Sequence, residues 1–112
     1  YHANDFELSE QYFRRAVERS PKSAEAWLGL AASYDCLRRF DKADRAYEQV
    51  IALSGVTAEI LNNQGYSYIL RGDYKNAREK LTAAKRLDPG NKYVLSNLQL
   101  LAEGPSRGKR LE

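Results

Sequence analysis

Residues 24–57, AEAWLGLAASYDCLRRFDKADRAYEQVIALSGVT, lie without a gap over residues 58–91, AEILNNQGYSYILRGDYKNAREKLTAAKRLDPGN, at a period of 34. Tyr34 falls on Tyr68, Phe40 on Tyr74, Ala43 on Ala77, Tyr47 on Leu81 and Leu53 on Leu87. Carried backwards, the period brings Phe6, Phe13 and Ala16 into the same classes and sets Pro21 on Gly55 and Pro89. Carried forwards, it makes residues 92–103 the first helix of a further unit. Trp27, Leu30 and Tyr34 recur at three- and four-residue steps, one stripe of a helix, and Ala43, Ala46, Tyr47 and Val50 make a matching stripe on a second. Gly65 and Ala77 remove bulk where two helices would cross. Gly72 suits a helix end and Asp73 the start of the next, with Asp5 at the equivalent place before Phe6. Asp88-Pro89-Gly90-Asn91 reads as a stop followed by a restart. The spacing predicts helices over 5–19, 24–37, 40–53, 58–71, 74–87 and 92–103, the last ended by Gly104-Pro105.

A 34-residue helix–turn–helix unit with this pattern resembles the tetratricopeptide repeat (TPR). The first full unit carries Trp27, Leu30, Tyr34, Ala43 and Tyr47, and the second carries Gly65, Tyr68, Ala77, Leu81, Ala84 and Pro89. Ala31, Gly55 and Leu61 stand where the family usually has Gly, Pro and Trp. The resemblance implies an all-α fold, a right-handed superhelix of antiparallel helix pairs. Residues 1–23 are then a partial unit, mainly its second helix. Residues 24–57 and 58–91 are full repeats, and 92–104 are the first helix of a further unit or a cap. Residues 105–112 are a basic tail in which Leu111-Glu112 reads as a cloning scar. Tyr1-His2-Ala3, with neither an initiator Met nor a secretory leader, reads as excised from something longer.

Composition removes whole classes of function. The chain has 112 residues, 43% hydrophobic and 29% charged, a balance that suits a folded domain. No apolar run approaches the roughly 18 residues of a membrane span. A single cysteine, Cys36, excludes an internal disulfide, and one histidine, His2, leaves little for a metal site or for His-based catalysis. Ser33, Ser67 and Ser96 have no histidine to activate them, the carboxylates Asp41 and Asp44 lie on an ordinary polar face, and Gly65 and Gly72 are isolated. No catalytic residue, metal, cofactor or small-molecule substrate is expected, and the chain is read as a non-enzyme.

Charge is uneven. Residues 1–70 carry 8 Lys and Arg against 10 Asp and Glu, whereas residues 71–112 carry 10 against 5. The basic half supplies an alternative function: binding of nucleic acid or an anionic surface through Lys75, Arg78, Lys85, Arg86, Arg107, Lys109 and Arg110. These residues are scattered, so a solvated face is the preferred reading and nucleic acid is disfavoured.

The resemblance also implies that the first helices of successive repeats line a concave groove for a protein or peptide partner. Carried over by register, the lining is Leu28, Ala32, Asp35 and Cys36, then Asn62, Asn63, Tyr66, Ile69 and Leu70, then Tyr93 and Asn97. Gly29 falls on the same face. Asn63 and Asn97 stand one repeat apart, and an amide offers a peptide backbone both a donor and an acceptor. The Lys and Arg by which some TPRs clamp a C-terminal carboxylate are absent: Leu28 and Ala32 hold the first pair of positions and Tyr93 and Asn97 the last, leaving Asn63 as the one match. Tyr34, Tyr47, Tyr68 and Tyr74 are expected in the core, and Cys36 as a buried or half-buried thiol. The two repeats further look like the bacterial TPR proteins of tight-adherence (Flp-type) pilus assembly, which implies an adaptor in pilus or secretion machinery, periplasmic or outer-membrane-associated; a TPR outside that family would instead be cytoplasmic. At the ends, Leu95 and Leu98 should face the preceding repeat and leave Leu101 partly exposed, which favours a homodimer through the terminal helices.

Overall fold

The computed structural model describes the backbone of residues 3–111 and the side chains of residues 5–104. Six helices follow one another, α1 (Ala3–Arg19), α2 (Ala24–Cys36), α3 (Phe40–Ser54), α4 (Ala58–Leu70), α5 (Tyr74–Leu87) and α6 (Lys92–Leu111), with no strand among the described residues. They form two compact units, Tyr1–Val56 with α1–α3 and Thr57–Glu112 with α4–α6. The break falls within one residue of the repeat boundary.

The helix starts repeat as the sequence does. Ser23 and Thr57, 34 residues apart, each accept a hydrogen bond from the backbone N–H three residues on, at 3.2 Å. Asn91, one more period along, accepts from Tyr93 and Val94 N–H at 2.9 and 3.2 Å. Each side chain satisfies a donor that has no partner within the helix. Asp73 caps α5 through Asn76 N–H, as expected. Asp5 does not cap α1, because that helix starts two residues earlier and leaves Asp5 in its first turn. The turns into α3 and α5 both need a left-handed residue, met by Gly72 (φ 78°) and, one period earlier, by Arg38 (φ 59°). Gly55 closes α3 at φ 76°, ψ −178°, a region that only glycine enters cheaply.

In the first unit Val17, Ala26 and Leu30 are buried with Phe13, Ala16, Trp27 and Tyr34 around them. Tyr47, Val50, Ala43 and Ala31 are also buried, at 1% exposure or less. Gly29 does not line an open face: a Cβ there would sit 2.2 Å from Phe13 Cε1, so its missing side chain is what lets α1 approach α2. In the second unit Ala77, Leu81 and Leu101 form one core with Tyr68, Ile69 and Leu98, and Leu61, Ala84 and Val94 form another. A Cβ on Gly65 would meet Leu81 Cγ at 2.6 Å. Ala31 holds the same register in the first unit, where the residue aligned with Leu81 is the flat Tyr47.

Three sequence expectations change. Leu101 is 2% exposed, in the core against Ala77 and Leu81, whereas Leu95 is 41% exposed. The stripe Val94, Leu98, Leu101 is the one that turns inward, and Leu95 lies off it. Tyr74 opens α5 at the surface, at 36% exposure. Finally, α6 runs past Gly104-Pro105 to Leu111, although a proline removes one backbone hydrogen bond and its ring crowds the carbonyl four residues earlier. The side chains of the basic tail lie outside the described residues, as does His2.

Candidate partner-binding face

The second unit brings α4 and α6 together. Asn97 Nδ2 donates to Asn62 Oδ1 at 2.9 Å, a bond between residues 35 apart. The register of 34 pairs Asn97 with Asn63; the bond joins it to the neighbour. Both amides are half-buried, and the pair retains a donor on Asn62 Nδ2 and an acceptor on Asn97 Oδ1. Asn63 is half-buried as well. Tyr66 stands one turn beyond Asn62 on α4 and Tyr93 one turn before Asn97 on α6, at 41% and 64% exposure. Lys92 Nζ lies 5.3 Å from the Tyr93 ring centroid. An amide pair between two exposed rings, on parallel helices, is a surface for backbone and apolar side chains together.

Other residues expected on this face have structural duties. Ile69 packs on Ala77, Leu81 and Leu101, so it belongs to the core of the second unit. Leu70 is half-buried. On α2, Leu28 is half-buried, and Ala32 and Cys36 are exposed. Asp35 is withdrawn from the lining: it is 4% exposed and accepts a 2.7 Å hydrogen bond from the Tyr47 hydroxyl, inside the α2–α3 hairpin. One period on, the same two positions hold Ile69 and Leu81, an apolar pair.

Cys36, expected as a buried or half-buried thiol, is exposed, one position beyond the buried Asp35. Desolvation by its surroundings, and then the Asp35 carboxylate, push its thiol above the ordinary value. It therefore carries little thiolate near neutral pH. Among the described residues no group of three His, Cys, Asp or Glu could hold a metal ion, and no helix is long and apolar enough to cross a membrane.

Polar groups missed in the sequence also emerge. Glu10 is 5% exposed, accepts from the Tyr34 hydroxyl at 3.3 Å and pairs with Arg14 at 3.3 Å, which ties α1 to α2. Burial and this carboxylate raise the Tyr34 pKa. Arg39 pairs with Glu7 at 2.7 Å. Gln64 Oε1 is buried with no hydrogen-bond partner among the described residues. Gln64 falls on Leu30, a core register, so the alignment held that signal. Of the basic residues, Lys75, Arg78 and Arg86 share a shallow cleft of about 380 Å³ with Glu79 and Thr82, which puts a carboxylate among the cations.

The helix pairs, their shared caps and the open face between α4 and α6 define a helical-repeat interaction scaffold. The tetratricopeptide repeat profile matches residues 1–35 and 36–92, and the chain belongs to that family. The type IV pilus assembly protein PilF of Pseudomonas aeruginosa is 31% identical over 91 residues, covering 80% of this chain and 36% of PilF. The chain thus spans about a third of that relative's length. Two solved structures share the fold. One, the anaphase-promoting-complex hetero-tetramer Cut9–Hcn1, has a TM-score of 0.82 at 24% identity over 92% of this chain and 20% of its own. The other, the second TPR domain of human RPAP3 in complex with the HSP70 peptide SGPTIEEVD, has a TM-score of 0.74 at 19% identity over 88% and 82%.

Proposed function

We propose that the face of α4 and α6 binds an extended segment of a protein partner, and that the chain acts as a non-catalytic adaptor in bacterial pilus assembly. The Asn97–Asn62 hydrogen bond carries the reading. It leaves Asn62 Nδ2 to donate and Asn97 Oδ1 to accept, groups that suit the C=O and N–H that one residue of an extended chain presents on the same edge, and it does so without selecting a side chain. Tyr66 and Tyr93 supply exposed ring area on either side of the amide pair. The likeness to PilF supports the pilus setting. The RPAP3 domain holds a peptide on the same fold, but this chain has neither Lys nor Arg at any of the five carboxylate-clamp registers and matches the clamp only at Asn63, so an internal segment suits it better than a C-terminal carboxylate.

A peptide array tiled across type IV and tight-adherence pilus assembly proteins tests the proposal. Segments that bind should shift the amide resonances of Asn62, Tyr66, Tyr93 and Asn97. Asn62→Ala with Asn97→Ala should weaken binding at least tenfold while leaving the helical circular dichroism unchanged. Binding that survives the double substitution would move the site elsewhere.

A further inference from the structure

The turn between α2 and α3 carries Arg38 and Arg39, and the first turns of α3 add Lys42 and Arg45, all four exposed. They line one cleft of about 450 Å³ together with Phe40 and Asp41. The repeat itself does not ask for this charge. One period on, the same registers hold Gly72, Asp73, Asn76 and Glu79, and one period back they hold Asn4, Asp5, Leu8 and Gln11, none of them basic. The helix pair is complete around the cluster. The inner stripe of α3, Ala43, Ala46, Tyr47 and Val50, is at most 3% exposed, and Glu7 of α1 reaches Arg39 at 2.7 Å. Two of the cations also stand against local preference. Arg38 takes the left-handed conformation, φ 59°, that Gly72 takes freely one period later. Arg39 starts α3 with no side-chain cap, where Asp73 caps α5. Both choices cost stability, and a half-exposed ion pair with Glu7 returns little of it.

The cleft runs on into an apolar groove. Lys42 and Arg45 also edge a space of about 350 Å³ lined by Trp27, Leu30 and Tyr34, and Lys42 Nζ lies 5.8 Å from the Tyr34 ring centroid. We infer that this cleft docks an acidic segment of a protein partner, with its carboxylates on Arg38, Lys42 and Arg45 and an apolar side chain beside Trp27 and Tyr34. Guanidinium groups match carboxylates in geometry as well as in charge. A nucleic acid fits less well. Residues 1–56 carry 8 Lys and Arg against 9 Asp and Glu, so no long-range field draws a polyanion to this unit. Asp41, Asp44 and Glu48 also follow one another along α3 beside the cations, where a continuous phosphate backbone would meet them. A short acidic segment can place its charges on the cations and avoid that row. The surface is separate from the face of α4 and α6.

Isothermal titration calorimetry of the 112-residue chain tests this with three probes of equal length: a peptide of Glu interspersed with Phe, the same peptide with Gln for Glu, and an oligothymidylate. The acidic peptide should bind, more weakly as salt is raised, and the other two should bind at least tenfold more weakly. Lys42→Glu with Arg45→Glu should weaken the acidic peptide at least tenfold while leaving the helical circular dichroism unchanged. Arg38→Gly separates binding from structure. It relieves the turn, so the melting temperature should rise while peptide affinity falls; an arginine kept for the fold would give a lower melting temperature instead. Equal binding of the Gln peptide, tighter binding of the oligothymidylate, full affinity in the Lys42→Glu, Arg45→Glu chain, or an Arg38→Gly chain that melts lower and binds as before would overturn the inference.

Discussion

At Gln64 a single side chain sets the local free energy. Its Oε1 has lost water and gained no donor, a loss of about 1–3 kcal/mol for such a group. The equivalent position in the preceding repeat is Leu30, buried at 4%. Gln64→Leu should therefore raise stability by about 1 kcal/mol or more, read as a higher denaturation midpoint at unchanged m-value. The Tyr47–Asp35 pair runs the other way. Its hydrogen bond is short, buried and charged. Tyr47→Phe removes a donor from a buried carboxylate and should cost about 2 kcal/mol. Adding Asp35→Ile, the residue type that Ile69 already supplies one period on, should recover part of that loss, because an apolar pair has nothing left to satisfy. A urea melt in which the double variant is weaker than Tyr47→Phe would argue that Asp35 serves the hairpin through its other contacts.

Elements are decided at their ends. The Asp73 carboxylate at the start of α5 is held below its ordinary pKa, first by the Asn76 side-chain amide and then by the Asn76 backbone N–H. A depressed folded-state pKa means that the cap stabilises above the unfolded value, near 3.8, and that this contribution is lost as pH falls through the lower folded value. A carboxyl-detected NMR titration should find Asp73 below that reference, and Asp73→Asn should flatten the acid limb of the α5 melting curve. A titration midpoint at or above the reference would count against the cap. The turn before α3 differs: Arg38 adopts the left-handed conformation that Gly72 adopts one period later. Gly72→Ala meets no neighbouring atom within 4 Å, so backbone strain is the only term it introduces. It should cost about 1 kcal/mol, and a neutral result would mean that the turn can relax.

For the whole molecule, stability in a repeat array is close to a sum of unit and nearest-neighbour contributions. Damage should then stay local. Ala77 is fully buried against Leu81 and Leu101. Ala77→Leu has no space to fill and should destabilise by about 1–3 kcal/mol. Hydrogen exchange should place most of the lost protection in α4–α6, with α1–α3 changed less. Equal loss along all six helices would mean that the chain unfolds as one cooperative block.

Much of this was legible in the residues. A gapless period of 34, with small residues at Ala43 and Ala77 and rings at Tyr34 and Tyr68, determined the all-α repeat fold, because a helix pair can bury only side chains that return at fixed offsets. The same period carried the cap series Ser23, Thr57, Asn91 and the odd Gln64. What the period could not supply was the partner of each polar group. Asn97 binds Asn62 and not Asn63 because helix crossing shifts contacts by a residue relative to sequence register. Asp35, on the predicted open face, turns inward as Ile69 does one period later, because that register faces the second helix of its pair, and the Tyr47 hydroxyl then satisfies its carboxylate. Leu101 and Leu95 exchange their expected exposures for a similar reason: two stripes of α6 carry leucines, and only packing against α5 selects the one that Leu101 joins.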